Sequence, residues 1–357
     1  MKTSHNNFLK LAFNIAKINI AKTKSNPSVG CLVVKDGSVV SSACTSINGR
    51  PHAEYNALKN IKNHSNLSLY VTMEPCTHYG KTPPCTNIIK KKKIKNIYFS
   101  FNDIDIRTSN KLRSAIKNSK IRINQIKIKN FKDFYQSYFT NYKGEPLIDA
   151  KLALSNDYFT INRKSKWITN CLSRSRVHLI RSEYDSIIST SKTINKDNSL
   201  LNCRLNGFDN NKPDLIIIDL KMKLKKKLRL FEFSKNRNIT IVTTLKNNEN
   251  IPYFKKKNIK FIFVKSLIEK QDFISLFKKL KSYGHNRILI ESGLIFLNKL
   301  LDKKLISNIY IFKSSIKLGN YGFNNTSSAK IKQIKLINKI KVNLNGDKLF
   351  KIKLKNV

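Results

Sequence analysis

Apolar positions along this chain fall into two alternations of short runs and helical stripes, joined by a polar, aromatic stretch. In the first, residues 29–34 read as a strand, Asp36-Gly37 as a two-residue turn and residues 39–43 as the returning strand. Helices are predicted over 54–61 and 85–92, and further strands over 67–73, 94–101 and 121–128. Ahead of them, Phe8, Leu9, Leu11, Ala12, Ile15, Ala16, Ile18 and Ile20 fit one helical face within 8–22, and Asn26-Pro27 leads into the first strand. The stretch 129–146 reads as the passage into a second domain.

The second alternation predicts strands over 147–154, 185–190, 215–218, 239–243, 261–264, 288–290 and 309–311. Helices are expected over 172–181, 267–280 and 294–301, with Asn345-Gly346 turning a hairpin between 340–344 and 348–354. Alternating strands and helices argue for an α/β layer architecture in both halves. At 357 residues the chain exceeds what one core usually organises, so two domains are expected, 1–145 and 146–357. No apolar run reaches the ~18 residues of a membrane span.

Charge alters this picture little. The balance of 69 Lys+Arg against 22 Asp+Glu gives +47, which would attract any polyanion. Lys, Ile and Asn are nevertheless spread along the whole chain, a pattern that AT-rich coding produces without any partner. The first 35 residues carry no acid, as in transit peptides, yet the apolar helical face leading straight into a strand favours a helix that feeds a folded domain. With no secretory apolar core, the six cysteines are expected to be reduced thiols in a cytoplasm.

One constellation carries chemistry: Pro51-His52-Ala53-Glu54, Glu74-Pro75-Cys76 and Pro83-Pro84-Cys85. Zinc takes nitrogen and sulfur ligands, and a catalytic site keeps one position open. His52, Cys76 and Cys85 supply three ligands. Glu54, two residues past His52 at a helix start, can face the open position and carry protons. Zinc deaminases use His-x-Glu with a Pro-Cys-x-x-Cys segment. Here eight residues separate the two cysteines, and Pro83-Pro84 suits a helix start that returns Cys85 to the metal.

These segments, with Asn26-Pro27-Ser28-Val29-Gly30 and the run Glu74 to Cys85, resemble the deaminase half of the bifunctional riboflavin-biosynthesis deaminase/reductase family. The resemblance implies a cytidine-deaminase-like three-layer domain. Its implied reaction is deamination of 2,5-diamino-6-ribosylamino-4-pyrimidinone 5′-phosphate, with His52, Cys76 and Cys85 on zinc and Glu54 as catalytic proton shuttle. Family members usually have His and Arg at Tyr79 and Lys81, both expected in a substrate loop. They also have Asp-Pro-Asn-Pro where this chain runs Asn102-Asp103-Ile104-Asp105-Ile106-Arg107.

Unaided, the second half reads as an α/β domain without a Gly-x-Gly-x-x-Gly fingerprint. Lys151 to Asp157, Lys164 to Thr169 and Glu291-Ser292-Gly293 resemble the family's reductase half, which has a dihydrofolate-reductase-like fold and uses NADPH. Carried over by position, Ser165, Arg181, Leu201, Arg204 and Glu291 would contact substrate. Ala153, Trp167, Thr193, Asp197 and Gly293 would contact NADPH. The alternatives to these roles are a plain core residue for Trp167 and a solvated charge for Arg181. Tyr158 replaces a family glycine, and Leu220 stands where a serine often meets the cofactor. The resemblance further implies a homo-oligomer, dimer or tetramer, acting on a phosphorylated pyrimidine, with no specific nucleic acid and no membrane. Two alternatives stay open: a deaminase whose reductase half has decayed, and a nucleic-acid deaminase or RNA-binding protein.

Overall fold

The computed structural model describes residues 2–62, 65–208, 213–232 and 237–354. The chain divides into two units, Met1–Lys143 and Gly144–Val357.

The first unit is built on β1 (Gly30–Lys35), β2 (Ser38–Cys44), β3 (Leu67–Met73), β4 (Asn96–Phe101) and β5 (Arg122–Gln125), in the order β2-β1-β3-β4-β5. Asp36 and Gly37 both take positive φ, as a two-residue hairpin turn requires, and β1 pairs antiparallel with β2 and β3. β3, β4 and β5 run parallel. The first helix, Lys2–Ala16, buries Leu9, Ala12, Phe13 and Ala16, an i, i+3, i+4, i+7 stripe. Leu9, Ala12 and Ala16 belong to the expected face; Phe13, fully buried, does not, and Leu11 and Ile18, expected on it, are 42% and 59% exposed. Gly30 lets this helix lie on β1, since a Cβ there would sit 1.9 Å from the Ala12 carbonyl oxygen.

The stretch 129–146 is more than a passage between domains. It forms a short helix, Gln136–Tyr142, preceded by Phe131, whose ring stacks on Phe13 with centroids 4.3 Å apart. The hydroxyls of buried Tyr135 and Thr72 are 2.6 Å apart. Aromatic residues that looked like a linker therefore complete the first core.

The second unit holds β6 (Leu147–Leu154), β7 (Ile161–Asn162), β8 (Ser186–Thr190), β9 (Asp214–Ile218), β10 (Ile239–Thr243), β11 (Lys260–Phe263), β12 (Arg287–Ile290), β13 (Asn308–Lys313), β14 (Gly322–Phe323) and β15 (Lys348–Lys353). Among the described residues the main sheet runs β11-β10-β9-β8-β12-β6-β13-β15, parallel except for the antiparallel edge pair β13/β15. The inner strands are buried on both faces, which is why β9 and β12 read as short Ile and Leu runs. Along β9, Ile216 and Ile218 face one core while Leu215 and Ile217 face the other. Helices Cys171–Arg181, Lys270–Ser282 and Leu294–Asp302 stand where expected; Ser191–Asp197 and Asn250–Lys256 are additional.

The expected terminal hairpin has only one strand. Asn345 and Gly346 do turn with positive φ, but 340–344 adds no strand: an isolated bridge from Lys339 to Phe350 and the Ile340 N–H bond to the Leu349 carbonyl join the two arms, while β15 pairs along its length with β13. At the turn, the Asn170 side chain donates to the Leu344 and Asn345 carbonyls, and Asp347 accepts from Asn170 N–H and Ser173 Oγ–H.

Candidate functional site

In the first unit, two helix starts and one strand end bring three ligand-type side chains together. His52 caps the helix Ala53–Leu58, Cys85 opens the helix Cys85–Lys91 behind Pro84, and Cys76 follows β3. His52 Nδ1 lies 3.5 Å from Cys76 Sγ and 3.4 Å from Cys85 Sγ, and the three ligand atoms lie within 4.8 Å of one another. The Cys85 N–H donates to Cys76 Sγ over 3.2 Å. The Cys85 thiol, against the opposing effect of burial, holds the Cys76 thiol well below its usual range, with His52 and the Cys85 N–H adding to the effect. Two thiol sulfurs and an imidazole nitrogen suit zinc, and the long loop between the cysteines does not prevent their convergence.

Glu54 is buried beside this cluster. Burial pushes its carboxyl up to about 7, against the opposing pull of His52. Glu74, one strand end away, accepts backbone N–H groups of Asn110 (3.0 Å) and Leu112 (3.1 Å), so it anchors the loop after β4. That loop forms one wall of an open cleft over the cluster, through Asp103, Asp105 and Arg107. Arg107 grips Asp105 with both Nε and Nη2 and holds its carboxyl down at about 2. Tyr138 donates its hydroxyl to Asp103 over 2.8 Å, and burial pushes that carboxyl up.

Tyr79 and Lys81 lie in the loop as expected, but neither lines the cleft: His78, Gly80 and Thr82 do. Tyr79 is 74% exposed, its hydroxyl accepting from Asn87. Sequence reasoning missed Arg50, whose Nη1 donates to Thr82 Oγ1 over 2.9 Å and reaches into the same cleft. The available signal was its place directly before Pro51-His52. The charges at 103–107 were visible only as a departure from the family pattern.

In the second unit the expected residues gather near the C-terminal ends of β8 and β12, where parallel α/β sheets place ligands. Arg181 forms a two-pronged ion pair with Glu291 (Nε to Oε1 2.6 Å, Nη2 to Oε2 3.0 Å) and donates through Nη1 to the Asn202 carbonyl (3.0 Å). It is therefore no solvated charge. Lys151, which sequence reasoning quoted in a motif but did not place in the site, adds Nζ to Glu291 Oε2 at 2.8 Å. Burial opposes ionisation of Glu291, but Arg181 and Lys151 outweigh it and hold the carboxyl at about 2. Arg204 donates to Asn202 Oδ1 (2.9 Å), and His178 Nδ1 lies 2.9 Å from the Asn202 carbonyl oxygen. Leu201 takes φ +48°, and its carbonyl accepts from buried Arg237, another residue not foreseen.

The remaining residues form looser groups. Gly293 N–H donates to Thr193 Oγ1 (3.2 Å) two residues past Glu291. Ser165 Oγ accepts from the Trp167 N–H (3.3 Å), and Lys166 Nζ donates to the Asp197 carbonyl (3.2 Å), which ties this loop to a helix end. Trp167 is 52% exposed with the Arg174 guanidinium 4.6 Å from its ring centroid, which excludes a core role. Ala153 lies on β6, two residues past Lys151 and so on the same face, with no polar contact to the others. Tyr158 takes φ +68°, the backbone conformation a glycine there would relax.

Comparison with known proteins covers both units. Residues 2–101 match the cytidine and deoxycytidylate deaminase zinc-binding region, and residues 148–346 match the RibD C-terminal domain. The chain is 34% identical to the riboflavin biosynthesis protein RibD of Buchnera aphidicola over 334 residues, 88% of each protein. It is 30% identical to that of Aquifex aeolicus, over 86% of this chain and 85% of the other. Its structure resembles a diaminohydroxyphosphoribosylaminopyrimidine deaminase/5-amino-6-(5-phosphoribosylamino)uracil reductase from Thermotoga maritima, with TM-score 0.82, 25% identity and 99% of both chains covered.

Proposed function

The chain belongs to the bifunctional riboflavin-biosynthesis deaminase/reductase family, and from that premise we propose how its residues divide the two reactions. The enzyme deaminates the phosphorylated diaminopyrimidine with zinc and then reduces the ribosyl to the ribityl side chain with NADPH. Matches in both halves favour this over a decayed reductase or a nucleic-acid deaminase. Its folds are cytidine-deaminase-like and dihydrofolate-reductase-like. We assign the deaminase to residues 1–145 and the reductase to 146–357.

Convergence of His52, Cys76 and Cys85 around one point, with Glu54 buried beside it, carries the deaminase assignment. These three residues would hold zinc, which supplies the Lewis acidity that makes water a nucleophile near neutral pH. Glu54 is the catalytic residue. Its buried carboxyl takes a proton from the attacking water and returns it to the departing amine, which leaves as ammonia.

In the reductase we assign Ser165, Arg181, Leu201, Arg204 and Glu291 to substrate. Ala153, Trp167, Thr193, Asp197 and Gly293 are assigned to NADPH, which supplies the hydride when bound. Glu291 orients the Arg181 fork and Lys151, and Arg204 stands ready for an anionic group of the substrate. A cytoplasmic homo-oligomer belongs to the same proposal. Six free thiols favour a reducing compartment, and light scattering reads the oligomer.

Metal analysis of purified protein tests the first assignment: about one zinc per chain, with deamination lost on chelation and regained with zinc. Reduction of supplied deaminated intermediate should survive chelation. Deamination that persists without metal would overturn it.

A further inference from the structure

The deaminase cleft is walled by carboxylates, yet its substrate carries a phosphate. Glu54, Glu74, Asp103 and Asp105 all line it, against Arg50 and Arg107. Unless these carboxylates are answered, a phosphate dianion is repelled. Glu74 is answered by backbone N–H groups, Asp103 by the Tyr138 hydroxyl and the Asp105 N–H, and Asp105 by the two-pronged grip of Arg107. Arg107 thus spends its charge on Asp105.

Arg50 differs. No ion pair to it is found among the described residues. The residue is half-buried, and one guanidinium nitrogen is steadied by Thr82 Oγ1 at 2.9 Å. The same nitrogen comes within 3.4 Å of His52 Nε2. With Nδ1 turned to the two sulfurs as a ligand, the neutral ring carries its proton on Nε2 and has no lone pair there for Arg50. That approach is proximity rather than a hydrogen bond. A guanidinium offers five donors in a rigid fork, and most of these remain free in a cleft open to solvent.

We propose that Arg50 is the specificity-determining residue of the deaminase, binding the phosphate of the substrate through its free guanidinium edge, while Arg107 keeps the facing wall receptive by neutralising Asp105. The assignment rests on the deaminase reading above. It predicts that selectivity for the phosphorylated substrate over its dephosphorylated counterpart resides in Arg50, and that Arg107 acts only through Asp105.

The test uses the zinc-loaded full chain with both compounds, separating KM from kcat. In Arg50→Gln, the ratio of kcat/KM for phosphorylated over dephosphorylated substrate should fall ~10- to 100-fold, the loss expected for one charge-assisted contact to an anion. The fall should come through KM, and Arg50→Lys should recover part of it. Inorganic phosphate should inhibit the parent competitively and Arg50→Gln much less. Arg107→Gln should also weaken the phosphorylated substrate, and Asp105→Asn added to it should restore binding.

Equal losses on both compounds, or a lower kcat with lost zinc, would overturn the assignment, because Arg50 would then act through His52. An unchanged ratio would overturn it too. Failure of Asp105→Asn to rescue Arg107→Gln would make Arg107 a direct phosphate ligand and overturn its neutralising role. A parent protein that deaminates neither compound would overturn the functional reading itself.

Discussion

The deaminase centre is drawn from a short span of chain, with His52 and Cys85 only 33 positions apart, whereas the reductase centre joins Arg181 to Glu291 across 110. In the first, helix starts and a strand end aim neutral or soft side chains at one point. In the second, buried opposite charges from separate elements hold one another. A compact centre is written as motifs and survives drift around it. A dispersed one depends on each element arriving in register, and its charges cost stability when any partner is lost.

Removing the shuttle gives the largest expected effect. Glu54→Gln should lower deamination by ~10²- to 10⁴-fold, the range of general acid–base contributions, while zinc content and reduction of supplied intermediate stay intact. Near-normal deamination in this variant would break the assignment of roles within the compact centre.

Next is the dispersed centre. Arg181→Ala leaves Glu291 with Lys151 alone and should destabilise the second unit by about 3–5 kcal/mol, as breaking a buried pair does. Reduction should vanish while deamination persists. Trp167, the sole tryptophan, makes its fluorescence a reporter for this unit in denaturant titrations.

Acid sharpens the contrast further. Glu291 titrates at about 2 in the folded chain, below its ordinary value of about 4.3 when unfolded. The folded state therefore binds fewer protons between those values. The stabilisation is present above pH of about 4.5 and is lost as pH falls toward about 2, on the order of 3 kcal/mol in all. Trp167-monitored unfolding across that window should show the decline, and a flat profile would contradict it.

The smallest effect concerns Tyr158. Left-handed backbone costs a non-glycine residue about 1–2 kcal/mol, but this ring packs on the core beneath Lys313. Tyr158→Gly should thus shift unfolding by less than about 1 kcal/mol, because relief of strain and lost packing oppose one another.

Much of this was legible in the chain. Strands at 215–218 and 288–290 were visible because parallel strands buried on both faces read as continuous apolar runs. The zinc ligands were visible because their neighbours, Pro51 and Pro83-Pro84, mark the helix starts that position them. What escaped notice depended on tertiary contact. Phe13 fell outside the expected face, and Phe131 and Tyr135 looked like linker until the first core claimed them. Lys151 and Arg237 were two basic residues among 69, distinguished only by the acceptors that folding brings to them.

The central claim is that both centres act in one chain. Mass spectrometry of the products from purified protein, the phosphorylated diaminopyrimidine and NADPH reads it directly. The account predicts exchange of an amine for oxygen, followed by gain of two hydrogens. Exchange without the added hydrogens would contradict the reductase half, and no change in zinc-loaded protein would contradict the deaminase.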